Sequence, residues 1–527
     1  MPTLLLRFGI GIVACVVCFA LPARNFADDW PMWGRDWSHY AVSPEKGAPV
    51  DFAFDVVSEG KLVSRAKNIA WSTRIGDRPY GTPVIADGMI WVGTSQPYGT
   101  AKNDDNTVLM CFREHDGKLL YQHASPRNGK AQGPEKPAKD IIEALGRVFL
   151  PQPEIDVRMR CSPLVEGNRL WHINYRSEVE YLDLRPLKRG TGDPKVLWSV
   201  DMRKEFGVGP ALPWCPALAG LAPSVVGYKD WLYISTANGD ESATGLASDA
   251  PSLLCLEKAT GKLVWKDNLP GKNIIQFQMS TPLVMEVKGR AQVIFGQGDG
   301  WIRSFDAKTG ALIWKCDLNR KDAKFSYGRS NNERNYIVAT PVAYDGRVYV
   351  ATGQDTGKEG YGCLFCIDPT REGDVSRELE AEPGKGKRNA NSAVVWSTRE
   401  AKAPSEPKSL AGREYLFGNT ICTCVIHEGL VYAAETGGWL HCFDARTGEH
   451  LWVHDARAGI QKSPLCVDGK VYVADEDGEI LIFACGLQKK LLGTVDVGQE
   501  IRANPIFANG TLYLASDRDL FAIREKK

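Results

Sequence analysis

Two short phrases recur along this chain, and they constrain its fold more than any other feature. One ends at an aromatic residue, as in GDGWIRSFDAKTGALIW (298–314) and TGGWLHCFDARTGEHLW (436–452). The other stands upstream, as in TPVAYDGRVYVA (340–351), SPLCVDGKVYVA (463–474) and NPIFANGTLYLA (504–515). Self-similarity at a spacing of about 40 residues indicates an array of small supersecondary units, each of which buries a core only by packing on its neighbours.

Each unit predicts four short strands, which we name A to D in chain order. Strand A is an apolar run that starts at a proline, and strand B is the alternating run that follows an Asp-Gly or Asn-Gly turn. These dipeptides supply the positive φ that tight hairpin turns require. Strand C is the next apolar run, and strand D follows a Thr-Gly turn and ends at the aromatic residue. The unit is therefore expected to be an antiparallel four-stranded sheet.

Strand A and strand D each occur eight times, but the first strand along the chain is a strand D rather than a strand A. Strand A is expected to start at Pro83, Pro163, Pro223, Pro282, Pro341, Cys424, Pro464 and Pro505. The strand D anchors are Trp71, Tyr121, Trp198, Trp265, Trp314, Trp396, Trp452 and Leu492. The chain opens with a lone strand D (KNIAWSTRI) and closes with a unit that lacks one. The prediction is an all-β, eight-bladed β-propeller whose last blade is completed by the N-terminal strand, which removes free sheet edges.

The strand D aromatics are interpreted as packing anchors between neighbouring blades rather than as parts of a cofactor site. Each large ring buries about 150–250 Å² in such a contact. The spacing between units is uneven, and the excess residues form insertions. The propeller is assigned to 68–527, with insertions at 122–160, 203–221 and 371–413. Insertions on a repeat scaffold fall on loops, often on a binding face.

The first residues predict an export signal. Residues 1–23 hold Arg7 followed by an uncharged apolar run from Phe8 to Leu21, which is too short for a membrane span and suits a signal-peptide core. Cleavage is expected after Ala23, with Ala20 and Ala27 as rival positions. A lipoprotein-type cleavage before Cys15 and an uncleaved anchor are the alternatives. Residues 24–67 then form an N-terminal extension.

Composition narrows the function classes. The chain has 64 basic and 64 acidic side chains, so its net charge is zero. Without a net positive charge it has no general electrostatic attraction to nucleic acid or to an anionic membrane, which argues against both as partners. No later stretch of the sequence reaches 18 apolar residues, so no transmembrane span is expected in the mature chain. Together with the signal peptide, this predicts a periplasmic or secreted protein.

The repeat around residues 305–314 and 443–452 resembles the tryptophan-docking motif of the pyrroloquinoline-quinone (PQQ) repeat propellers. The segment DDWPMWGRDWSHYAVSPEKGAP (28–49) is also similar to the lead-in of secreted bacterial proteins of this kind. The resemblance implies two functions: some members are quinoprotein dehydrogenases that bind PQQ and calcium, and others, such as the propeller lipoprotein of outer-membrane barrel assembly, bind proteins without a cofactor. The WD40 class is the rival, but its Trp-Asp ending is missing here.

Two marks of quinoprotein dehydrogenases are absent from the sequence. No adjacent cysteine pair occurs, and the one CxxC pair outside the predicted signal peptide, Cys363 and Cys366, is followed by Ile367 rather than by the histidine of a haem-attachment motif. Several cysteines instead recur in one column of strand C, which suggests small buried side chains. The histidines His427, His441, His450 and His454 are interpreted as solvated or core residues rather than as metal ligands.

One set of residues is a candidate ligand site. In a blade with strand A innermost, the D-to-A and B-to-C loops open on the same face. The D-to-A loops place cationic and aromatic side chains near one mouth of the channel, and the candidates are Arg78, Tyr80, Arg160, Phe277, Arg334, Tyr336, Lys462 and Arg502. Guanidinium groups suit carboxylates or phosphates, and aromatic faces suit planar rings. The alternative is that these cationic side chains form ordinary ion pairs with acidic residues of the same loops, which include Glu333 and Glu500.

Calcium is the second ligand considered. The B-to-C loops ANGDES (237–242) and GQDTGKEG (353–360) offer the oxygen ligands Asn238, Asp240, Glu241 and Asp355. The alternative is that these are solvated turn residues.

The sequence favours a non-catalytic binding or assembly scaffold with no cofactor, which engages a protein partner or a small anionic ligand at one propeller face. The runner-up is a PQQ- and calcium-dependent oxidoreductase that acts on an alcohol or a sugar.

Overall fold

The computed structural model describes residues 29–39, 41–58, 61–76, 79, 81–94, 107–125, 161–174, 176–208, 223–239, 249–275, 278–325, 333–354, 360–405 and 410–525. The signal peptide predicted at 1–23 and most of the insertions at 122–160 and 203–221 lie outside these residues. None of the described helices is long and apolar enough to span a bilayer.

The described chain is almost entirely β-structure and forms eight antiparallel blades around one axis, as predicted. The N-terminal strands are β1 (Val42–Ser43), β2 (Val56–Ser58), β3 (Lys61–Ser64) and β4 (Ile69–Arg74). Blade 1 is β5 (Val84–Ala86), β6 (Met89–Thr94), β7 (Thr107–Arg113) and β8 (Leu119–Ser125). Blade 2 is β9 (Leu164–Glu166), β10 (Arg169–Ile173), β11 (Glu178–Asp183) and β12 (Lys195–Asp201). Blade 3 is β13 (Val226–Tyr228), β14 (Trp231–Ser235), β15 (Leu253–Glu257) and β16 (Leu263–Asp267). Blade 4 is β17 (Leu283–Val287), β18 (Arg290–Gly296), β19 (Trp301–Asp306) and β20 (Leu312–Asp317).

The second half of the chain continues the ring. Blade 5 is β21 (Val342–Tyr344), β22 (Arg347–Thr352), β23 (Cys363–Ile367) and β27 (Val394–Ser397). Three inserted strands lie between β23 and β27 in the chain: β24 (Gly373–Asp374), β25 (Glu378–Glu382) and β26 (Lys385–Arg388). Blade 6 is β28 (Val425–His427), β29 (Leu430–Ala434), β30 (Trp439–Asp444) and β31 (His450–Asp455). Blade 7 is β32 (Leu465–Val467), β33 (Lys470–Ala474), β34 (Glu479–Ala484) and β35 (Leu491–Asp496). Blade 8 is β36 (Ile506–Ala508), β37 (Thr511–Ala515), β38 (Asp519–Ile523) and the N-terminal strand β4.

Tight turns connect strands A and B. In blade 1 the turn residues Asp87 and Gly88 have φ values of 53° and 75°, and in blade 8 Asn509 and Gly510 have 53° and 70°. Two consecutive positive φ values define the turn whose twist matches that of the flanking strands, which is why Asp-Gly and Asn-Gly recur there.

Strand A lies innermost. The A strands β5, β13, β32 and β36 are buried throughout, whereas the D strand β4 alternates between half-buried and exposed residues. The A strands of neighbouring blades also contact each other around the axis. The central channel is therefore lined by A strands, and the D strands form the outer wall.

The ring is closed by the pairing of β4 with β38, in which Trp71 lies opposite Ala522. Blade 8 thus takes three strands from the C-terminus and one from the N-terminus, as the offset in the strand count predicted.

The strand D tryptophans join neighbouring blades. The indole N–H of Trp71 donates to the Glu114 carbonyl of blade 1 at 3.0 Å, and that of Trp265 donates to the Ala307 carbonyl of blade 4 at 3.0 Å. A Cβ at Gly117 would lie 2.6 Å from the Trp71 ring, and Gly117 has a φ of 69°. The turn glycine therefore leaves room for the indole, which supports the interpretation of these residues as packing anchors.

Two details of the fold differ from the sequence prediction. In blade 3, strand A starts two residues later than Pro223 suggested, because Val225 occupies the place that Pro83 has in blade 1. The span 371–413 is not a single loop: β24 runs parallel to β20 at the edge of blade 4, β25 and β26 form a hairpin, and β27 is strand D of blade 5.

Short helices occur in connecting segments. These are α1 (Arg185–Arg189), α2 (Met202–Phe206) and a 3-10 turn at Gly271–Asn273. The Asp201 carboxylate caps α2 by accepting from the backbone N–H groups of Arg203 and Lys204, and Gly207 ends it in the left-handed conformation.

Candidate functional site at the channel mouth

The D-to-A and B-to-C loops meet at one end of the propeller, which we call the mouth. Isolated backbone bridges join a D-to-A residue to a B-to-C residue at Tyr336 and Gly353 and at Ile501 and Ser516. Residues from both loop types therefore surround the same opening.

The opposite end of the channel is covered by the N-terminal residues 29–39 and 41–43, which we call the plug segment. Backbone N–H groups in the A strands of five blades donate to plug-segment carbonyls, and the pairs are Ile85–Trp30, Val165–Pro31, Val284–Trp37, Ala343–Ser38 and Cys466–Ala41. The Asp29 carboxylate accepts from the backbone of Asp87 and from the side chain of Asn509, both in A-to-B turns. The plug segment therefore lies across the A strands at the end of the channel opposite the mouth.

One plug residue is fully buried against the wall of the channel. The Nε2 atom of His39 lies 2.9 Å from the Pro282 carbonyl, and its Nδ1 atom lies 3.1 Å from the Trp33 carbonyl. Burial lowers the pKa of His39, so its ring is neutral at pH 7. The interaction fixes the plug segment to the A strand of blade 4.

A belt of side-chain oxygens holds the blades together where the A strands begin. The residue before strand A in one blade donates its backbone N–H to the side chain of the equivalent residue in the next blade. The pairs run Ser162–Ser224, Ser224–Thr281, Thr281–Thr340, Thr340–Thr423, Thr423–Ser463 and Ser463–Asn504, with distances from 2.8 to 3.4 Å. Sequence reasoning missed this belt, although the recurring Thr-Pro, Ser-Pro and Asn-Pro dipeptides carried its signal.

Four of the eight candidate residues lie in the described part of the mouth: Arg334, Tyr336, Lys462 and Arg502. The other four, Arg78, Tyr80, Arg160 and Phe277, lie outside the described residues.

Arg334 is paired with a buried carboxylate. Its guanidinium lies 2.8 Å from Asp317, whose side chain is 2% exposed and also binds the Lys321 ammonium at 2.8 Å. Asp317 ends strand D of blade 4, so the two cations share one acid at the start of the D-to-A loop. Tyr336, two residues further on, is fully buried among Ile275 and Val338.

Arg502 is held by two carboxylates. Its guanidinium lies 2.6 Å from Glu500 and also pairs with Asp517 in the B-to-C loop of blade 8. Burial raises the pKa of Glu500. The pairing that the sequence offered as the alternative to a ligand site therefore applies to Arg502.

Lys462 differs from these arginines. It is 6% exposed, and its ammonium makes no hydrogen bond or ion pair with the described residues. Burial lowers its pKa to about 8, and the nearby Glu500 and Glu476 act on it at longer range. A buried ammonium without a direct partner is costly, so Lys462 is the described cation best placed to receive an anion.

Sequence reasoning missed a buried polar network in blade 6. The Glu435 carboxylate accepts from His441 at 2.8 Å, from Arg413 at 3.0 Å and from the Gly418 backbone at 2.7 Å. Burial alone would raise the pKa of Glu435, but the bonds from His441 and Arg413 lower it. His441 is thus a core histidine, as the sequence suggested, and it lies 3.2 Å from His450.

A second missed carboxylate is Asp475, which occupies in blade 7 the place of Glu435 in blade 6. Its Oδ1 accepts from the Glu479 backbone at 2.8 Å, and its buried Oδ2 has no hydrogen-bond partner. Burial raises its pKa. It lies next to Glu476, one of the acids that act on Lys462.

The described residues do not form a site for PQQ and calcium. PQQ carries three carboxylates, yet Arg334 and Arg502 are already neutralised by acids and Tyr336 presents no free face. Of the calcium candidates, Asn238 is fully buried and its amide donates to the Ala250 carbonyl. Asp240, Glu241 and Asp355 lie outside the described residues. We therefore derive no reaction step through a quinone.

Comparisons with known proteins agree on the repeat and on the fold. A family model described as outer membrane protein assembly factor BamB matches residues 183–325 and 387–486. The tetrathionate hydrolase of Acidithiobacillus ferrooxidans (strain ATCC 23270 / DSM 14882 / CIP 104768 / NCIMB 8455) is 20% identical over an alignment of 506 residues, which covers 89% of this chain and 85% of the relative.

Two solved structures are similar to this chain. BamB from Moraxella catarrhalis has a TM-score of 0.51 at 14% identity, covering 86% of this chain and 98% of its own. Sqt1 from Saccharomyces cerevisiae has a TM-score of 0.51 at 11% identity, covering 88% and 100%. At these identities the likeness shows the fold alone. The eight blades and the tryptophan anchors identify the chain as an eight-bladed β-propeller, and its repeats are similar to those of the PQQ-like propellers.

Proposed function

We propose that this chain is an exported, non-catalytic binding scaffold that receives an anionic group of a protein partner or of a small ligand at the mouth of its channel. The observation that carries the proposal is Lys462, a buried ammonium that has no direct partner in the described mouth. Export to the periplasm or the cell exterior is proposed from the signal peptide predicted at residues 1–23.

The charge pairing around Lys462 supports an anion site there. The neighbouring cation Arg502 is bound by the carboxylates of Glu500 and Asp517. An incoming anion would have to break these pairs to reach a guanidinium, but it can approach Lys462 without displacing a bonded acid. Charge-assisted hydrogen bonds to such an ammonium are roughly twice as strong as bonds between neutral groups.

The same pairing argues for binding rather than catalysis. A carboxylate that is hydrogen-bonded to a cation has a lowered pKa and is a weak base. Glu435, which binds His441 and Arg413, is in this state. The plug segment adds to the argument, because it lies across the end of the channel opposite the mouth, which favours a socket over a passage.

One of the comparisons supports a binding role, and neither defines the ligand. The matching family model carries the description of an assembly factor, and the relative named tetrathionate hydrolase acts on an anion according to its name. The first favours the scaffold, and the second shares with the proposal only the anionic character of its ligand.

Calorimetric titration tests the proposal. The wild-type chain, K462M and the control K385M, in which an exposed hairpin lysine is changed, are each titrated at pH 7 with sulfate, with citrate and with a peptide of glutamates. We expect at least one probe to bind the wild type and K385M and to bind K462M at least about tenfold more weakly, the effect of roughly 1.4 kcal/mol. Equal binding to K462M, or no binding of any probe to the wild type, would contradict the proposal.

The same samples also test the oxidoreductase alternative. PQQ with calcium is added to each variant, and the visible spectrum and the melting temperature are recorded. A bound-quinone spectrum with a raised melting temperature would favour the enzyme over the scaffold.

A further inference from the structure

A cluster of three metal-binding side chains lies at the contact between the outer part of blade 1 and blade 2, and it includes none of the candidate residues of the mouth. It consists of His123 on β8, His172 on β10 and Glu180 on β11. Each offers one ligand atom, and these atoms all lie within 4.8 Å of one another. The Oε2 atom of Glu180 is 2.9 Å from Nε2 of His123 and 2.9 Å from Nε2 of His172.

The strand register creates this convergence. His172 and Glu180 are directly opposite each other on neighbouring antiparallel strands, so their side chains share one face of blade 2. Tyr121 and His123 are two residues apart on strand D of blade 1, so both turn toward that face. The Tyr121 hydroxyl lies 3.0 Å from Nδ1 of His123, which leaves Nε2 of His123 directed toward Glu180.

His172 is unusual for its place in the fold. Aligned by strand pairing, the other seven blades carry an apolar residue there: Val92, Ile234, Phe295, Val350, Ala433, Val473 and Leu514. His172 is 1% exposed, its Nδ1 atom has no hydrogen-bond partner, and its Nε2 atom faces the Glu180 carboxylate at 2.9 Å. A buried imidazole that is not fully hydrogen-bonded costs free energy that an aliphatic residue would not, and a ligand shared by His172 and Glu180 would account for a histidine at this place.

We propose that His123, His172 and Glu180 bind a Zn²⁺ ion at the interface of blades 1 and 2. Two imidazoles and a carboxylate are a ligand set that zinc uses, with a fourth position left for water. Zinc bonds to nitrogen and oxygen are about 2.0–2.2 Å long, which places ligand atoms roughly 3–3.5 Å apart. The separations of 2.9 Å therefore need to open by only a few tenths of an ångström.

An ion can reach the cluster from solvent, and one of the proposed ligands is held in position by a neighbouring side chain. The side chains of His123 and Glu180 are 15% and 12% exposed, so the cluster is reachable from the outer surface, whereas His172 is at its closed end. The Tyr121 hydroxyl holds the His123 ring, as outer groups that orient metal-binding histidines do. A bound ion would join strand D of blade 1 to blade 2, where blade 1 has Tyr121 in place of the usual tryptophan anchor.

The test uses the untagged full chain, stripped with a chelator, dialysed and titrated with Zn²⁺ and separately with Co²⁺. The variants are H172V, which restores the residue type of blades 1, 5 and 7, and E180Q. The control is C466A, because His427, Cys466 and Cys485 form another group of potential ligand atoms within 4.8 Å. The readouts are bound metal per chain by elemental analysis, the visible absorption of Co²⁺ and the melting temperature.

We expect one zinc per chain in the wild type and in C466A, and none in H172V. In E180Q the affinity should fall by about 10- to 100-fold or more, the loss typical when ligand support is removed. Zinc should raise the melting temperature of the wild type but not that of H172V, and metal-free H172V should be at least as stable as the metal-free wild type. The proposal is overturned if the wild type shows no saturable binding, if H172V binds as tightly as the wild type, or if C466A abolishes the binding.

Discussion

Trp71 in the first strand of the propeller lies opposite Ala522 in the last, and its indole crosses from blade 8 to the Glu114 carbonyl of blade 1. One residue thus takes part both in the sheet that closes the ring and in the contact with the next blade. Trp452 makes the equivalent interblade bond to the Gly486 carbonyl at 3.1 Å, but its blade is continuous in sequence.

Replacing Trp71 with alanine should therefore open the ring as well as remove packing. Large-to-small changes of this kind cost about 3 kcal/mol or more, and W452A should lose a similar amount. Hydrogen exchange separates the two variants: backbone amides of β38 should exchange faster in W71A and not in W452A. Equal protection of β38 in both variants would show that Trp71 has no special part in closure.

Gly117 should tolerate no side chain, because a Cβ would lie 2.6 Å from the Trp71 indole. Gly289 is the matched control, since its φ of 77° is also positive but nothing lies within 4 Å of its Cβ position. G289A should cost about 1–2 kcal/mol from backbone strain alone, and G117A should cost clearly more in denaturant unfolding. In a W71A background the cost of G117A should fall to that of G289A. If it does not, the indole is not the source of the clash.

The sequence predicted the architecture because its signals are local. The Asp-Gly turns, the strand alternation and the offset between Trp71 and Pro505 each follow from neighbouring residues or from counting. The start of strand A expected from Pro223 is wrong because proline does not mark the strand in blade 3; the feature that the repeats share is the belt residue, here Ser224.

The site was less predictable, because its contacts join residues that are distant in the chain. The sequence placed Arg334 and Arg502 at the mouth, but their bonds to Asp317 and Asp517 depend on how loops from different strands meet. The group of His123, His172 and Glu180 was not predicted, since it forms across two blades. Its one readable signal was a histidine in strand B at a place where the other repeats carry apolar residues.

The belt of side-chain oxygens at the start of the A strands should contribute measurably to the free energy of unfolding. The Oγ1 atom of Thr423 accepts from the Thr340 backbone at 2.9 Å, and Thr423 is 3% exposed. T423V keeps the volume but leaves the Thr340 N–H buried and unpaired, which costs about 1–3 kcal/mol. T423S keeps the oxygen and should retain most of the stability in denaturant unfolding. A T423V variant as stable as T423S would show that the bond contributes nothing.

Lys462 should make stability depend on pH in the alkaline range. Its folded pKa is lowered by burial from 10.5 to about 8, so between these values the unfolded chain holds the proton and the folded chain does not. Stability then rises with pH across that window, and the full penalty of roughly 3 kcal/mol applies below pH 8.

The variant K462M lacks this penalty, so it should be more stable than the wild type at pH 7, and the difference should shrink as the pH approaches 10.5. Unfolding by urea at pH 7, 8, 9 and 10 measures it, with K385M as the control for a lysine on the surface. A difference between wild type and K462M that stays constant over this range would contradict the shifted pKa. Binding of an anion at the mouth should weaken over the same interval, as the ammonium loses its proton.

Cys485 should be the most reactive of the eleven described free cysteines, because the other ten are buried. A hydrogen bond from the Cys466 thiol, whose sulfur is 3.4 Å away, lowers the pKa of Cys485. The thiolate is the nucleophile, so a lower pKa and partial exposure both favour alkylation. In the native protein at pH 7, iodoacetamide should label Cys485 first among these eleven, as mapped by peptide mass spectrometry. The variant C466A removes the hydrogen bond and should slow the labelling of Cys485. The control C442A, in the neighbouring blade, should leave that labelling unchanged. Faster labelling of Cys485 in C466A would mean that Cys466 shields the thiol rather than activating it.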